Sequence, residues 1–254
     1  MEMNWPSQIW LIRHGQSAGN VARDLAYQSG TGKIELPSRD VDVPLSTLGR
    51  DQAMALGRWF AGMNKCQRPD VILTSPYKRA VETAHIFRNE GGADSDEPIC
   101  LDERLREKEF GILDGLTSLG VAANFPDQAQ FRELLGKFYH RPPGGESWCD
   151  VIFRLRSLLD TVALHHAGCR VMIFAHQVVI LCMRYIIENL DEETILAIDR
   201  EGDVANCSVT EYRFDPQRGS RGKLVLERYN ATFPIERHDI PVTRGSEPIV
   251  AARG

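Results

Sequence analysis

Two apolar runs of the sequence end on polar side chains that could carry out phosphoryl chemistry. Residues 9–12 lead into Arg13 and His14, and residues 169–175 lead into His176. Ligands of open α/β sheets bind just beyond the carboxyl ends of the strands. A cation and imidazoles at such ends therefore predict an anion site that contains a nucleophile or an acid/base group. An Arg-His-Gly triplet at one strand end can also arise by chance, so the prediction of a functional site depends on other segments of the chain.

A second arginine follows another short β-rich run. Residues 70–74 precede Ser75 and a proline, which are typical of an N-cap and a first helical turn and predict a helix over 75–87. Positive side chains in a first turn oppose the helix dipole unless an anion is bound there. We expect Lys78 to point into water and Arg79 to bind an anion.

Residues 102–115 mix carboxylates with apolar side chains and two glycines. Most charged runs are solvated faces, but Leu105 and Phe110 interleave with the charges here, and the glycines indicate tight local geometry. We expect one carboxylate of this segment to face inward.

The hydrophobic pattern alternates between strands and helices along most of the chain. It predicts strands at 9–12, 70–74, 98–101, 169–175, 209–214 and 224–229, the last two as a hairpin, and helices near 47–63, 75–87, 125–139, 147–166 and 177–187. Residues 21–43 lack a period and are interpreted as a long loop, either a lid or a disordered segment. The fold class is therefore α/β, with one mostly parallel sheet covered by helices on both faces. We expect one domain over 1–254, with a core at 8–230 and a surface arm at 231–254.

Bulk composition limits the partners. The net charge of -5 and pI near 5.8 provide no global field for nucleic acid or an anionic membrane. No apolar run approaches the ~18 residues of a membrane span, and we expect a cytoplasmic protein. The six cysteines are scattered, which favours reduced thiols over disulfides or a zinc site.

Parallel strands would bring the arginines, the histidines and the inward carboxylate to one edge of the sheet. An arginine fork suits phosphoryl oxygens, and a neutral histidine can attack phosphorus in line. A second histidine can stabilise the charge of the transition state. A carboxylic acid can then protonate the leaving alcohol and later deprotonate water. This set requires no metal and no cofactor.

Five ordered motifs strengthen this interpretation: RHGQSAGN at 13–20, TSPYKRAVETA at 74–84, LREKEFG at 105–111, PGGES at 143–147 and FAHQ at 174–177. With these motifs the chain resembles the histidine phosphatase superfamily, also called phosphoglycerate mutase-like, which implies a three-layer α/β/α fold. The resemblance implies that His14 is the phosphorylated nucleophile, that Arg13, Asn20, Arg79 and His176 form the phosphate pocket, and that Glu107 is the proton donor. Neighbouring arginines would lower the pKa of Glu107, whereas an acid working near neutral pH needs a raised pKa, so Glu109 stays an alternative.

The resemblance also bears on which reaction to expect. The family's mutases carry a longer insertion between the acid and the Gly-Glu-Ser turn, which favours a phosphatase acting on a small phosphorylated metabolite. The run IFAHQVVILCMRY looks most like the fructose-2,6-bisphosphatase branch, although the segment 23–43 departs from it. The alternatives are a phosphoglycerate mutase, a non-catalytic module that binds a phosphorylated ligand, and a metal hydrolase that uses His14, His176 and Glu107.

Overall fold

One six-stranded sheet forms the centre of the molecule. The computed structural model describes residues 5–36, 38–94, 96 and 98–245. The strands are β1 Gln8–Arg13, β2 Val71–Thr74, β3 Ile99–Leu101, β4 Arg170–Ala175, β5 Val209–Asp215 and β6 Lys223–Ala231. Their order across the sheet is β3-β2-β4-β1-β5-β6. The first four are mutually parallel, and β5 and β6 form the predicted antiparallel hairpin at one edge. The mostly parallel α/β sheet is therefore confirmed.

Helices cover both faces of this sheet. They are α1 Ala18–Gln28, α2 Thr47–Ala61, α3 Lys78–Asn89, α4 Ser118–Asn124, α5 Pro126–Tyr139, α6 Trp148–His165, α7 Gln177–Glu188, α8 Glu192–Glu201 and α9 Phe233–Glu236. Side chains alternate between the faces of a strand. In β1, Ile9 and Leu11 accordingly pack with α6 and α7, whereas Trp10 and Ile12 pack with α2 and α3. The sheet is buried on both sides, and its functional groups can emerge only at its ends.

Two helix predictions need correction. The segment interpreted as a loop from residue 21 begins with α1, because Ser17 and Asn20 form a reciprocal capping box that starts a helix there. The third helix begins at Lys78 and not at Ser75, and its N-cap residue Tyr77 makes no side-chain capping bond. Lys78 is exposed, as expected.

The rest of the aperiodic segment is ordered against the core where the structure describes it. Antiparallel bridges join Lys33 to Leu116 and Ser17 to Leu45. A Cβ atom on Gly120 would lie 1.8 Å from the backbone oxygen of Gly32, so this approach requires glycine. Residues 29–36 and 38–46 therefore form a wall above the sheet end.

The segment that follows β6 is anchored to the core at some points. Residue Ile235 of α9 is completely buried, and Gln52 Nε2 donates to the Pro241 carbonyl at 2.9 Å, whereas most of residues 236–244 are exposed or half-buried. Residues 246–254 lie outside the described part. The single-domain organisation over 1–254 stays a prediction.

All six cysteines lie within the described residues and none of them forms a disulfide; Cys182 and Cys207 are buried, and Cys66 and Cys100 are exposed. Among the described residues, no helix combines the length and apolar content that crossing a bilayer requires.

Candidate active site

Parallel pairing brings three strand ends to one place. Arg13 is in register with Ala175, and Thr74 with Phe174. Each strand end is followed by a polar residue, which gives His14, Ser75 and His176. The residues that line the pocket beyond these ends are Arg13, His14, Ser17, Gly19, Asn20, Arg23, Ile34, Leu36, Asp40, Arg79, Glu107, Phe110, Asp114, Gly115 and Gln177. His176 lies just behind this lining, its ring centroid 5.1 Å from that of His14.

The hydrogen bonds of His14 define its tautomer. Its Nδ1 lies 2.7 Å from the Gly15 carbonyl oxygen, an acceptor, so Nδ1 carries the proton. Arg79 Nε donates to His14 Nε2 at 3.2 Å, so Nε2 presents its lone pair. Burial, followed by the charges of Arg79 and Arg13, lowers the pKa of His14 well below 6.5. The ring is therefore neutral at pH 7, and Nε2 can act as a nucleophile once it is released from the Arg79 Nε–H group.

Arg13 is held by backbone carbonyls. Its guanidinium donates to the oxygens of Val204 and Gly245, the second at 2.6 Å. Asn206 Nδ2 donates to the backbone oxygen of His14 at 2.9 Å. The loop after α8 and the end of the described chain therefore fix the first strand end from behind.

Arg79 is paired with a carboxylate. Its Nη1 and Nη2 donate to Asp40 Oδ1 and Oδ2 at 3.1 and 3.0 Å, and Nη1 also donates to the Asp40 carbonyl at 2.7 Å. The Arg79 side chain is 6% exposed and that of Asp40 32%. Arg79 is thus paired with a side chain of the wall segment, and its binding of a ligand anion stays a prediction.

Asn20 lines the same pocket from the first turn of α1. Its Oδ1 accepts from the backbone nitrogen and the hydroxyl of Ser17, at 3.0 and 3.1 Å. These bonds commit the amide oxygen, so a phosphoryl oxygen in the pocket would meet the Nδ2 amino group.

His176 is completely buried at the N-terminus of α7. Its Nε2 lies 2.8 Å from Ser75 Oγ, and its Nδ1 lies 3.9 Å from Glu107 Oε2. Burial, followed by the Arg79 charge, lowers the pKa of His176 well below 6.5. Its ring is also neutral at pH 7.

The two candidate acids occupy different places. Glu107 lines the pocket with a side chain that is 14% exposed, and its Oε1 accepts from the Lys108 backbone nitrogen at 2.9 Å. Glu109 is outside the lining, 46% exposed, and accepts from the Tyr77 hydroxyl at 2.8 Å. Arg106, which precedes Glu107 in the sequence, pairs with Glu146 at 2.8 Å. The geometry favours Glu107 as the residue that can reach a substrate.

The residues that sequence reasoning missed are Ser75 as a histidine partner, Asp40, and Asn206. Ser75 carried a helix-cap signal, and Asp40 and Asn206 lie in segments without a period. Their roles depend on contacts between distant parts of the chain.

Comparison with known proteins agrees with this site. The chain matches the histidine phosphatase superfamily (branch 1) over residues 9–227 and belongs to that family. A 2,3-bisphosphoglycerate-dependent phosphoglycerate mutase of Gloeothece citriformis (strain PCC 7424) is 30% identical over 250 residues, covering 87% of this chain and 99% of the relative. Membership of this family makes the protein a phosphoryl-transfer enzyme.

Two solved structures are similar throughout. A mycobacterial glucosyl-3-phosphoglycerate phosphatase complexed with VO3 has a TM-score of 0.66 and 26% identity, covering 89% of this chain and 99% of the other. YhfR of Bacillus stearothermophilus has a TM-score of 0.66 and 27% identity, covering 87% and 96%. The fold is therefore the one shared by family members whose names include both phosphatases and mutases. A specific closeness to fructose-2,6-bisphosphatase is not among these similarities.

Proposed function

We propose that the protein is a phosphomonoesterase that hydrolyses a small phosphorylated metabolite through a phosphohistidine on His14. The observation that carries the proposal is the neutral His14 ring, whose Nε2 carries the lone pair and contacts Arg79 in a pocket that is lined by two buried arginines, Arg13 and Arg79. A neutral imidazole is nucleophilic, and the two guanidinium groups supply the positive charge that a phosphoryl dianion requires.

The first step transfers the phosphoryl group to the enzyme. His14 Nε2 forms a bond to phosphorus while the bond from phosphorus to the ester oxygen breaks. Glu107, in its protonated form, gives its proton to the leaving alkoxide. Arg13, Arg79 and Asn20 hold the phosphoryl oxygens, and His176 stabilises their charge in the transition state.

The second step returns the enzyme to its starting state. Water attacks phosphorus, Glu107 accepts a proton from that water, and the bond between phosphorus and His14 Nε2 breaks. Inorganic phosphate leaves, and His14 is neutral again. These residues complete the cycle without a metal or cofactor, so we expect turnover to persist in the presence of a chelator.

The similarity of FAHQ and the residues after it to the fructose-2,6-bisphosphatase branch supports phosphorylated sugars as the first substrates to screen. We also propose a cytoplasmic location and no nucleic-acid or membrane partner, on the composition given above.

The test is replacement of His14. His14→Ala should abolish hydrolysis of an aryl phosphate and the acid-labile phosphoenzyme that brief incubation of the wild-type protein traps. His165→Ala, at an exposed histidine of α6, is the matched control and should keep both. Hydrolysis by His14→Ala at more than a trace would exclude the mechanism. Tight vanadate binding by the wild-type protein without turnover would support a binding module instead, and loss of turnover on chelation a metal hydrolase.

One observation favours a second candidate, phosphoglycerate mutase: the 30% identical relative that this chain covers over 99% of its length carries that name. The shorter segment between Glu107 and the Gly-Glu-Ser turn argues against it. Interconversion of 2- and 3-phosphoglycerate at a rate above that of their hydrolysis would establish the mutase.

A further inference from the structure

Ser75 is a buried residue whose hydroxyl contacts the site histidine His176. It follows β2 directly, is 0% exposed, and its backbone nitrogen donates to the Phe174 oxygen at 3.0 Å. Because α3 begins at Lys78, the hydroxyl does not cap that helix. Its contacts are with the backbone nitrogen of Tyr77, at 3.3 Å, and with His176 Nε2, at 2.8 Å.

These two contacts determine where the serine proton goes. The Tyr77 nitrogen is a donor, so Ser75 Oγ accepts that bond. Among the described residues, His176 Nε2 is the hydrogen-bond acceptor within reach of the hydroxyl proton. A buried hydroxyl that fails to donate loses about 1–3 kcal/mol. Ser75 therefore donates to Nε2, and the neutral His176 ring carries its own proton on Nδ1.

That Nδ1–H group lies near the candidate acid Glu107, on a ring that contacts His14. Among the described residues, His176 Nδ1 is buried and has no hydrogen-bond partner. It lies 3.9 Å from Glu107 Oε2, beyond hydrogen-bond distance, on a ring that contacts the His14 ring edge-on. A buried donor without a partner next to a nucleophile and an acid is suited to a ligand oxygen.

We propose that Ser75 is a positioning residue that fixes His176 as its Nδ1–H tautomer, so that Nδ1–H donates to the phosphoryl group in transfer. The inference rests on the proposed phosphatase function and deepens it. Without the serine hydroxyl, the ring can move its proton to Nε2 and present a lone pair to the phosphoryl oxygens, which repels them.

The first measurement reads the tautomer directly in the resting protein. Histidine ring ¹⁵N NMR of the wild-type protein at pH 7.5, with His176 assigned through His176→Gln, should show Nδ1 protonated and Nε2 unprotonated. In Ser75→Ala, the His176 signals should move toward the Nε2–H form. An Nε2–H tautomer in the wild-type protein would overturn the proposal, even if Ser75→Ala fails to fold.

The second measurement reads the catalytic consequence. Ser75→Ala should lower kcat for an aryl phosphate about five- to tenfold, which corresponds to one hydrogen bond of about 1 to 1.4 kcal/mol, with a smaller change in KM. Ser208→Ala is the matched control, because Ser208 is 0% exposed and its hydroxyl has no partner among the described residues. Its kcat should stay within twofold of the wild-type value. The same kcat in both variants would overturn the positioning role.

These measurements distinguish a failure of the phosphohistidine mechanism from a failure of the positioning role of Ser75. The tautomer is measured without turnover, so it stands or falls independently of the chemistry. Retained hydrolysis by His14→Ala would refute the phosphohistidine mechanism, whereas an unchanged His176 tautomer in Ser75→Ala would refute the positioning role alone.

Discussion

The Asp40 carboxylate occupies donors of Arg79 that a substrate phosphate would need, and this leads to a quantitative prediction. Arg79 has five N–H groups. Three of its bonds go to Asp40 and one to His14 Nε2. One N–H group of Nη2 is left over, so a phosphoryl group that takes more than this group and the Nε–H group must compete with the Asp40 carboxylate for Nη1 and Nη2. Replacing Asp40 with Asn keeps the shape and the backbone carbonyl but removes the charge that competes.

The structure sets the expected magnitude. Charge-assisted bonds are roughly twice as strong as neutral ones, and a carboxylate that is 32% exposed keeps only part of that advantage. We expect Asp40→Asn to weaken the interaction between Arg79 and residue 40 by about 1 to 1.4 kcal/mol. Inorganic phosphate should then bind about five- to tenfold more tightly to this variant.

Isothermal titration with inorganic phosphate at pH 8 measures this change. Asp42→Asn is the matched control, since Asp42 lies in the same short turn, Asp40–Asp42, but pairs with the exposed Arg39. Its phosphate affinity should equal that of the wild-type protein. Equal or weaker binding by Asp40→Asn would refute the reasoning, because Asp40 would then assist the phosphate site and not compete with it.

Two further predictions concern the acid and a buried histidine outside the pocket. Glu107→Gln should lower kcat for an alkyl phosphate by about 10²–10⁴-fold, and much less for an aryl phosphate, because the aryl leaving group needs no proton. Steady-state rates on both substrates measure this difference. A larger loss of kcat in Glu109→Gln would make Glu109 the acid. Burial lowers the pKa of His140 to about 4, so its folded form stays neutral while the unfolded form takes up a proton below pH 6.5, and stability is lost as the pH falls. Urea unfolding measures the free energy of unfolding at pH 7 and at pH 5. Between these two values it should fall by about 2 kcal/mol less in His140→Gln than in the wild-type protein, and equal falls would contradict the lowered pKa.

The local sequence pattern was sufficient to predict those site residues that directly follow a buried strand. The apolar runs before His14 and His176 specified β1 and β4, and their parallel pairing brought both histidines to one edge. A helix was predicted to start at Glu146 or Ser147, and Ser147 does cap α6 through a reciprocal bond with Asp150. Such signals need only neighbours within a few residues, which is why they can be read from the sequence.

Local pattern failed where a segment takes its structure from distant contacts. Residues 29–36 and 38–46 have no hydrophobic face of their own, and bridges to residues 17 and 116 hold them in place. The final segment returns to the site through the bond from Arg13 to the Gly245 oxygen, 232 residues away in sequence. No spacing within either segment encodes those partners.

The sequence by itself determined the sheet, the order of its chemical groups and the family, because hydrophobic period and ordered motifs are local properties. The tertiary structure alone decided three features of the site: the tautomer of His14, the carboxylate that holds Arg79, and the placement of Glu107, and not Glu109, at the pocket. Each of these depends on hydrogen bonds and burial between residues from different elements, and those interactions exist only once the chain is folded.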